Sequence, residues 1–392
     1  MKSTAKSLLY KGPYDEAAVK AVGEEILKSL GGTSSLAFAF VTSDYIPHLE
    51  DFTEVLRLHG HIPDIVGASA RGVIHNDTEY ESGSGFAILS LRLEDVQNTV
   101  IPFDKNTFEN ADSAHFTDAL GAVKPKVWIS LLNPVELNVE EWIHTWNHLF
   151  PEIPSTGGLA SGGRDAESYA VFHNDRILSG GVVVGLSGEI AFDIVVSQGC
   201  RPIGNPLPVT KSEANIIYSL GAKPAYKELE AAYQTLNDQE KSHAKGNLFA
   251  GLAGNEYVDE FRPGDFLVRN IIGADPETGA VVINGVPRVG QTLQYQFRDK
   301  VIADLDFQNS IKTQITPSKQ QIAALLFTCT GRGKEFFGIP NHDAEALSQA
   351  LGPLPTGGFF CSGEIGPVSG NNCIHGYTAS AIVLREHAPS QK

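Results

Sequence analysis

Short apolar runs recur along the chain, and in most of them both alternating faces are hydrophobic. "SSLAFAFVTSD", "GFAILSLRL", "KVWISLLNP", "GGVVVGLSG", "AALLFTCTGRG" and "GYTASAIVL" all read this way. A half-exposed strand alternates apolar and polar positions, so these runs predict strands buried between layers. Between them lie stripes of helical period. Val19, Val22, Ile26 and Leu30 line a helix that stops at Gly31. Trp142, Trp146 and Leu149 share a face behind an Asn138–Glu141 capping box. Pro224 opens a helix carrying Tyr226, Leu229, Tyr233 and Leu236. Asn341 is expected to cap a helix with Leu347 and Leu351, ended by Gly352 and Pro353. "YAVFHNDRILSGGVVVGL" reads as a hairpin around Asn174 and Asp175; "IAFDIVVSQG", "FLVRNIIG", "AVVING" and "TLQYQF" are further strands.

One pattern is written three times: an apolar run, a helical segment, a second short run, then a Gly-framed turn. The framing pairs are Gly67 and Gly72, Gly158 and Gly163, and Gly358 and Gly363, with Ala70, Ser161 or Cys361 as the small residue between them. Gly85 and Gly376 each follow the second framing glycine by thirteen residues and open another strand. The expectation is an α/β (α+β) protein of two domains. Stacked mixed or antiparallel sheets, covered by helices in an α-β-β-α-like layering, are built from repeated strand–helix–strand units. A doubly wound parallel sheet is disfavoured, because consecutive strands often lack a helix between them.

With 392 residues the chain exceeds one ordinary core. Its 46 acidic and 30 basic residues give a formal charge of −16, which works against nucleic acid or anionic membrane as partner. No apolar run reaches the roughly 18 residues of a membrane helix. The N-terminus lacks the apolar core of a signal peptide. The cysteines, Cys200, Cys329, Cys361 and Cys373, form no C-x-x-C pair, so no structural zinc is expected. Such scattered cysteines predict free thiols in a reducing, cytoplasmic compartment, with a Cys361–Cys373 contact as the alternative.

The Gly-framed turns lack the Lys-Ser/Thr of a phosphate loop, so they read as tight turns that would line a cavity where domains meet. "VSQGCRPIGNPLPVT" holds Cys200 and Arg201 in a Gly- and Pro-constrained corner, either to capture a carboxylate or as a solvated loop. "CTGRGKEFFG" places Cys329 and Arg332 beside glycines; the following His342–Asp343 is read as helix capping ahead of catalysis. "GGFFCSGEIGPVSGNNCIHGYT" contributes Cys361, Ser362, Glu364 and His375. A cysteine with a later histidine is the minimum for a thiol nucleophile, but protease signatures, G-x-S-x-G and H-E-x-x-H are absent.

Together, "VSQGCRPIGNPLPVT", "FLVRNIIGADPETGAVVI", "LLFTCTGRGKEFFG" with "HDAEAL", and "GGFFCSGEIGPV" with "HGYTAS" resemble the FIST family. The resemblance implies an N-terminal extension over 1–32, a FIST N-terminal module over 33–221, a FIST C-terminal module over 222–385 and a tail over 386–392. It implies an intracellular sensory protein for a small ligand, with amino acids favoured, no cofactor and no metal. The chain leaves no room for an output domain, so a separate signalling partner is expected. The family-pattern positions are Gly199, Cys200, Arg201, Pro202, Arg269, Asn270, Gly331, Arg332, Gly333, Gly363, Glu364, Gly366 and His375. Cys361 occupies a slot often held by Ala or Gly-like residues. Ligand capture is therefore assigned to Cys200, Arg201, Arg269, Cys329, Arg332, Cys361, Ser362, Glu364 and His375, with arginine holding a carboxylate and Glu364 an ammonium. A thiol-dependent enzyme using Cys200, Cys329 or Cys361, and a protein–protein adaptor, are the alternatives.

Overall fold

The computed structural model describes residues 2–110, 114–121, 123–261, 264–318 and 320–387; most of the expected C-terminal tail lies outside them. The threefold repeat is the architecture. Unit one runs through strand Thr4–Lys11, helix Glu16–Leu30, strand Leu36–Thr42, helix Leu49–Gly60, strand Ile65–Ala70, a hairpin of Val73–His75 and Thr78–Tyr80, and closing strand Gly85–Arg92. Unit two repeats the order with strands Val96–Phe103, Val127–Leu132 and Ser155–Leu159, helix Val139–Leu149, hairpin Val171–His173 and Arg176–Leu178, and closing strand Gly181–Gly188. Unit three uses strands Ile190–Ser197, Gln321–Cys329 and Thr356–Cys361, helices Lys300–Gln314 and His342–Leu351, hairpin Glu364–Val368 and Asn371–His375, and closing strand Ala379–Glu386.

In each unit the strands flanking the central helix pair in parallel, and the closing strand lies antiparallel to the first of them. The hairpin then leaves its own unit. That of unit one joins the sheet of unit three at Thr356–Cys361, that of unit two joins unit one at Ile65–Ala70, and that of unit three joins unit two at Ser155–Leu159. Three six-stranded sheets result, each completed by a neighbour's hairpin.

The inner faces of all three sheets share one apolar core, in which Phe40, Ile129, Leu325 and Phe359 are fully buried. Phe40 stacks on Phe359 with centroids 4.7 Å apart. Helices cover each outer face: Val19, Ile26 and Phe52 over sheet one, Trp142 and Trp146 over sheet two, Phe307 and Leu347 over sheet three. The α-β-β-α layering therefore holds between neighbouring sheets, and both faces of the central strands are buried as their apolar patterns require.

Between Ser197 and Lys300 the chain leaves unit three to build a second, antiparallel body. Strand Thr292–Arg298 pairs with both Leu207–Glu213 and Leu248–Ala253. With Ile216–Leu220, Phe266–Ala274 and Val281–Ile283 this closes a barrel. Val209, Leu252, Tyr295 and Phe297 fill it together with Leu229 and Ala232 of helix Ala225–Gln234.

Two cap expectations are corrected. Asn138 does accept from the Glu141 amide at 3.3 Å, but the Glu141 carboxylate returns to the Asn138 side-chain amide instead of its backbone. Asn341 stands at the N-cap position in a left-handed conformation without capping its helix; its Oδ1 accepts from the Glu79 amide. The cap is Glu79 itself, whose Oε1 accepts from the amides of Asp343 and Ala344, each at 3.0 Å. A residue of the exchanged hairpin thus supplies acceptors to orphan amides of a helix more than 250 positions away.

A close approach of the paired strand explains the framing glycines Gly67 and Gly358; in unit two it falls on Gly157, one residue before the expected Gly158. A Cβ on Gly67, Gly157 or Gly358 would lie 2.1, 1.9 or 1.9 Å from the carbonyl oxygen of Ala39, Ser130 or Leu326. Each of those residues stands directly opposite on the paired parallel strand. Gly358→Ala is expected to lower stability by about 3 kcal/mol or more in urea unfolding. Gly376→Ala, with nothing within 4 Å of the added carbon, should cost less than about 1 kcal/mol. Equal costs would contradict the close-approach explanation.

Candidate functional site

The three Gly-framed turns meet at one end of the central core. The Ser161 amide donates to Ser69 O at 3.0 Å, Ser69 Oγ donates to Ser161 O at 3.0 Å, and Ser161 Oγ bonds Phe360 O. The Ser362 amide reaches Leu159 O at 3.1 Å. A Cβ on Gly158 would stand 2.3 Å from Cys361 Sγ. Cys361 thus packs where units two and three touch, and Ser362 is an exposed turn residue. Among the described residues all four thiols are free, so the Cys361–Cys373 contact is not made.

Beside these turns, where the barrel leaves unit three, the structure gathers four of the expected residues: Cys200, Cys329, Arg332 and Glu364. Arg332 is fully committed. Its Nε and Nη2 donate to the two carboxylate oxygens of Asp343 at 2.7 and 2.8 Å, and Nη1 reaches Tyr377 O at 3.5 Å. Thr328 and His342 also bond Asp343. Burial opposes the charge on Asp343, but Arg332 and these donors outweigh it and hold its carboxyl below the usual carboxylate range. His342 is stacked on Phe337 and bonded to Asp304 and Asp343, a satisfied buried histidine. Arg332 therefore builds the site and is not exposed to a ligand. Gly199 explains the neighbouring corner: its φ is 64°, and a Cβ there would lie 3.0 Å from Arg332 Nη1.

Sequence reasoning missed Arg298 and Tyr377. The Arg298 guanidinium lies 3.6 Å from the Phe336 ring centroid and 4.7 Å from that of Tyr377, and donates to Gly331 O at 2.7 Å. Tyr377 holds a left-handed φ of 63°, a strained state for an aromatic residue, and packs against Phe249 of the barrel with ring centroids 4.8 Å apart. Tyr377 and Arg298 thereby clamp barrel to body. Glu364 lies within, its Oε2 accepting from the Thr378 amide at 3.1 Å while its Oε1 is buried without a hydrogen-bond partner. Burial raises the Glu364 carboxyl well above its ordinary range. Glu364 has no exposed surface, so the ammonium partnership first given to it does not fit its position.

Arg201 is elsewhere, paired with Glu240 at 2.5 Å on the barrel and packed over Phe297. Arg269 points to a different place. Helix Val139–Leu149, the edge strand Asn371–His375 and the barrel enclose a cleft of about 660 Å³. Arg269 crosses it, donating to Ile374 O at 2.9 Å and to Glu140 Oε1 at 3.0 Å. Arg288, His144, His148, Asn147 and Cys373 also line the cleft, with Ile143, Leu252 and Val286 as its apolar part. His375, the register partner of Glu364, is buried behind this strand with Nε2 on Gly366 O; burial lowers its pKa to about 4. Glu140 and Arg288 carried no signal of their own: an acid in a helix's first turn reads as a dipole partner, and Arg288 sits in a loop.

The helix-capping Glu79 carries a pH signature. Burial, and then the Asp343 charge, raise its pKa to about 8. The folded state thus favours protonated Glu79, and its contribution is complete below the unfolded carboxyl value and lost as pH rises towards 8. Glu79→Gln keeps the acceptor without the charge. It should match wild type near pH 4.5 and exceed it by about 1–3 kcal/mol at pH 8.5 in chemical denaturation. A difference independent of pH would contradict this assignment.

Comparison with known proteins divides the chain differently from the body and barrel, with the boundary of the two matched domains falling inside the barrel. Residues 35–223 match the FIST N domain and residues 225–367 the FIST C domain. An uncharacterized protein of Mycobacterium bovis is 32% identical over 385 residues, covering 94% of this chain and 95% of its own. An uncharacterized protein of Mycobacterium tuberculosis is 31% identical over 370 residues, covering 94% and 96%. Among solved structures, PurLQS from Thermotoga maritima aligns over 98% of this chain and 72% of its own at 10% identity, with a TM-score of 0.21 that establishes no shared fold. Among the described residues no helix is long and apolar enough to cross a membrane. FIST domains are associated with signal transduction and small-ligand sensing. With both of its domains matched over nearly the whole length, the chain belongs to the FIST family.

Proposed function

We propose that this protein is a cytoplasmic sensor that binds an amino acid or related zwitterion in the cleft between body and barrel and signals through a separate partner. The observation that carries this reading is the Arg269–Glu140 pair spanning a cleft of about 660 Å³, a size suited to a small molecule. A zwitterion replaces that pair group for group: its carboxylate takes the Arg269 fork and its ammonium takes Glu140. Arg269 is well placed to stay rigid, since Ile374 O holds Nη1 and Gly285 leaves room beside its side chain. The ligand would contact both bodies at once, so occupancy bears on how the barrel sits on the three-unit core.

Thiol catalysis has less support. Burial pushes the Cys200 and Cys329 thiols up to about 12, Cys373 up to about 11, and Cys361 well above the ordinary thiol range. A nucleophilic cysteine requires the opposite shift.

Calorimetry and thermal-shift measurements with the standard amino acids test the proposal. At least one should stabilise the protein, with affinity falling about tenfold or more in Arg269→Ala and in the surface variant Glu140→Gln. Stabilisation by none of them would overturn it. Arg332→Ala is unsuitable here, because leaving Asp343 buried and unpaired is expected to cost about 3–5 kcal/mol of stability. In iodoacetamide labelling of the native protein at pH 7.5, Cys373, the least buried thiol, should react first and the other three stay unmodified. Rapid modification of Cys200, Cys329 or Cys361 would favour the thiol enzyme instead.

A further inference from the structure

We infer that the cleft selects an amino acid carrying a second acidic group, an acidic zwitterion of net charge −1. The inference rests on the zwitterion reading above and deepens it. The ionised side chains lining the cleft are two arginines, Arg269 and Arg288, and one carboxylate, Glu140. A neutral zwitterion satisfies Arg269 and Glu140 and leaves Arg288 over.

Arg288 has a further property. Its backbone amide is held by Gln291 Oε1 at 3.1 Å, which fixes the loop, whereas among the described residues its guanidinium has no hydrogen-bonding or ionic partner. The neighbouring arginines at the barrel–body boundary are engaged: Arg269 with Glu140, Arg332 with Asp343, and Arg298 through Nη2 with Gly331 O, its buried Nε lacking a hydrogen-bond partner. Arg288 is therefore the one cation of the cleft wall with its donors unspent. His144 and His148, on the opposite helical wall, add donors of the kind a carboxylate accepts. The chain as a whole carries a formal charge of −16, so a cationic excess confined to a cleft is a local exception that draws an anion to that spot.

The distal acid is thus assigned to Arg288, the α-carboxylate to Arg269 and the ammonium to Glu140. Discrimination between an acid and its amide follows, because an amide presents a neutral oxygen and two unwanted N–H donors to a guanidinium that has only donors itself.

Calorimetric titration of wild type, Arg288→Ala and Arg269→Ala with L-glutamate, L-aspartate, L-glutamine, L-asparagine and succinate tests the assignment. One of the two acids should bind about tenfold or more tightly than its own amide. Arg288→Ala should remove that preference by weakening the acid alone, and Arg269→Ala should weaken acid and amide together. Arg288 is exposed, so its replacement leaves the fold intact. Equal affinity of wild type for an acid and its amide, with binding otherwise lost in Arg269→Ala, would overturn the second-acid inference and leave the zwitterion reading standing. Succinate binding as tightly as glutamate would instead overturn the ammonium contact with Glu140. Absence of binding by all five compounds would overturn the inference.

Discussion

Everything in this molecule depends on how closely two strands can approach in each repeat. Gly67, Gly157 and Gly358 lie where a single added carbon would strike the carbonyl of the strand beside it. Their absence of side chains lets three parallel pairs converge and lets the turns beyond them knit through Ser69, Ser161 and Phe360. Only then can each hairpin reach the neighbouring unit's sheet and cover its edge. The exchange is cyclic, so no unit has a complete sheet of its own, and the three share one core. Edge strands that would otherwise invite pairing with other chains are partly used up in this way.

The barrel is attached at one break in that symmetry, between Ser197 and Lys300 of unit three. Its attachment uses charge sparingly and with compensation. The Arg332–Asp343 pair is buried, bidentate and further bonded by Thr328 and His342, the condition under which a buried ion pair is tolerated. Arg298 is held by aromatic faces and a carbonyl instead of a carboxylate. Arg332 engages each of its guanidinium nitrogens on the frame, and Arg298 its Nη2 but not its Nε. On the other side of the barrel, Arg269 makes a looser pair with a largely exposed Glu140, and Arg288 none among the described residues. The contrast is between Arg332, whose guanidinium nitrogens are all engaged at the junction, and Arg288, exposed on the cleft wall; Arg298 is intermediate, with its buried Nε lacking a hydrogen-bond partner.

Much of the fold was legible in the sequence, for physical reasons visible in particular residues. Strands apolar on both faces announced burial between layers, and the spacing of Gly67, Gly158 and Gly358 announced the repeat, one residue out of register in unit two, where Gly157 makes the close approach. The partner of each hairpin was not legible: a two-residue period says which face is buried but not against which unit. Nor was the true helix cap, because Glu79 acts across more than 250 residues while Asn341 has the local signature of one. At the candidate site, motif reasoning named residues that the structure divides among separate places, and it could not rank them. Arg201, Arg269 and Arg332 all sit beside chain-constraining residues or on family-pattern positions. Only their partners, Glu240, Glu140 and Asp343, tell them apart.

A cleft that joins two bodies leaves a footprint on backbone dynamics when it is filled, and hydrogen–deuterium exchange reads it directly. With saturating L-glutamate, the amides of helix Val139–Leu149, strand Asn371–His375, strand Phe266–Ala274 and the loop over residues 284–291 should all slow together, with the remainder of units one and three unchanged. Exchange unaltered in these four segments while the protein is demonstrably bound, or protection centred on the Cys329–Glu364 junction instead, would contradict the cleft as the ligand site.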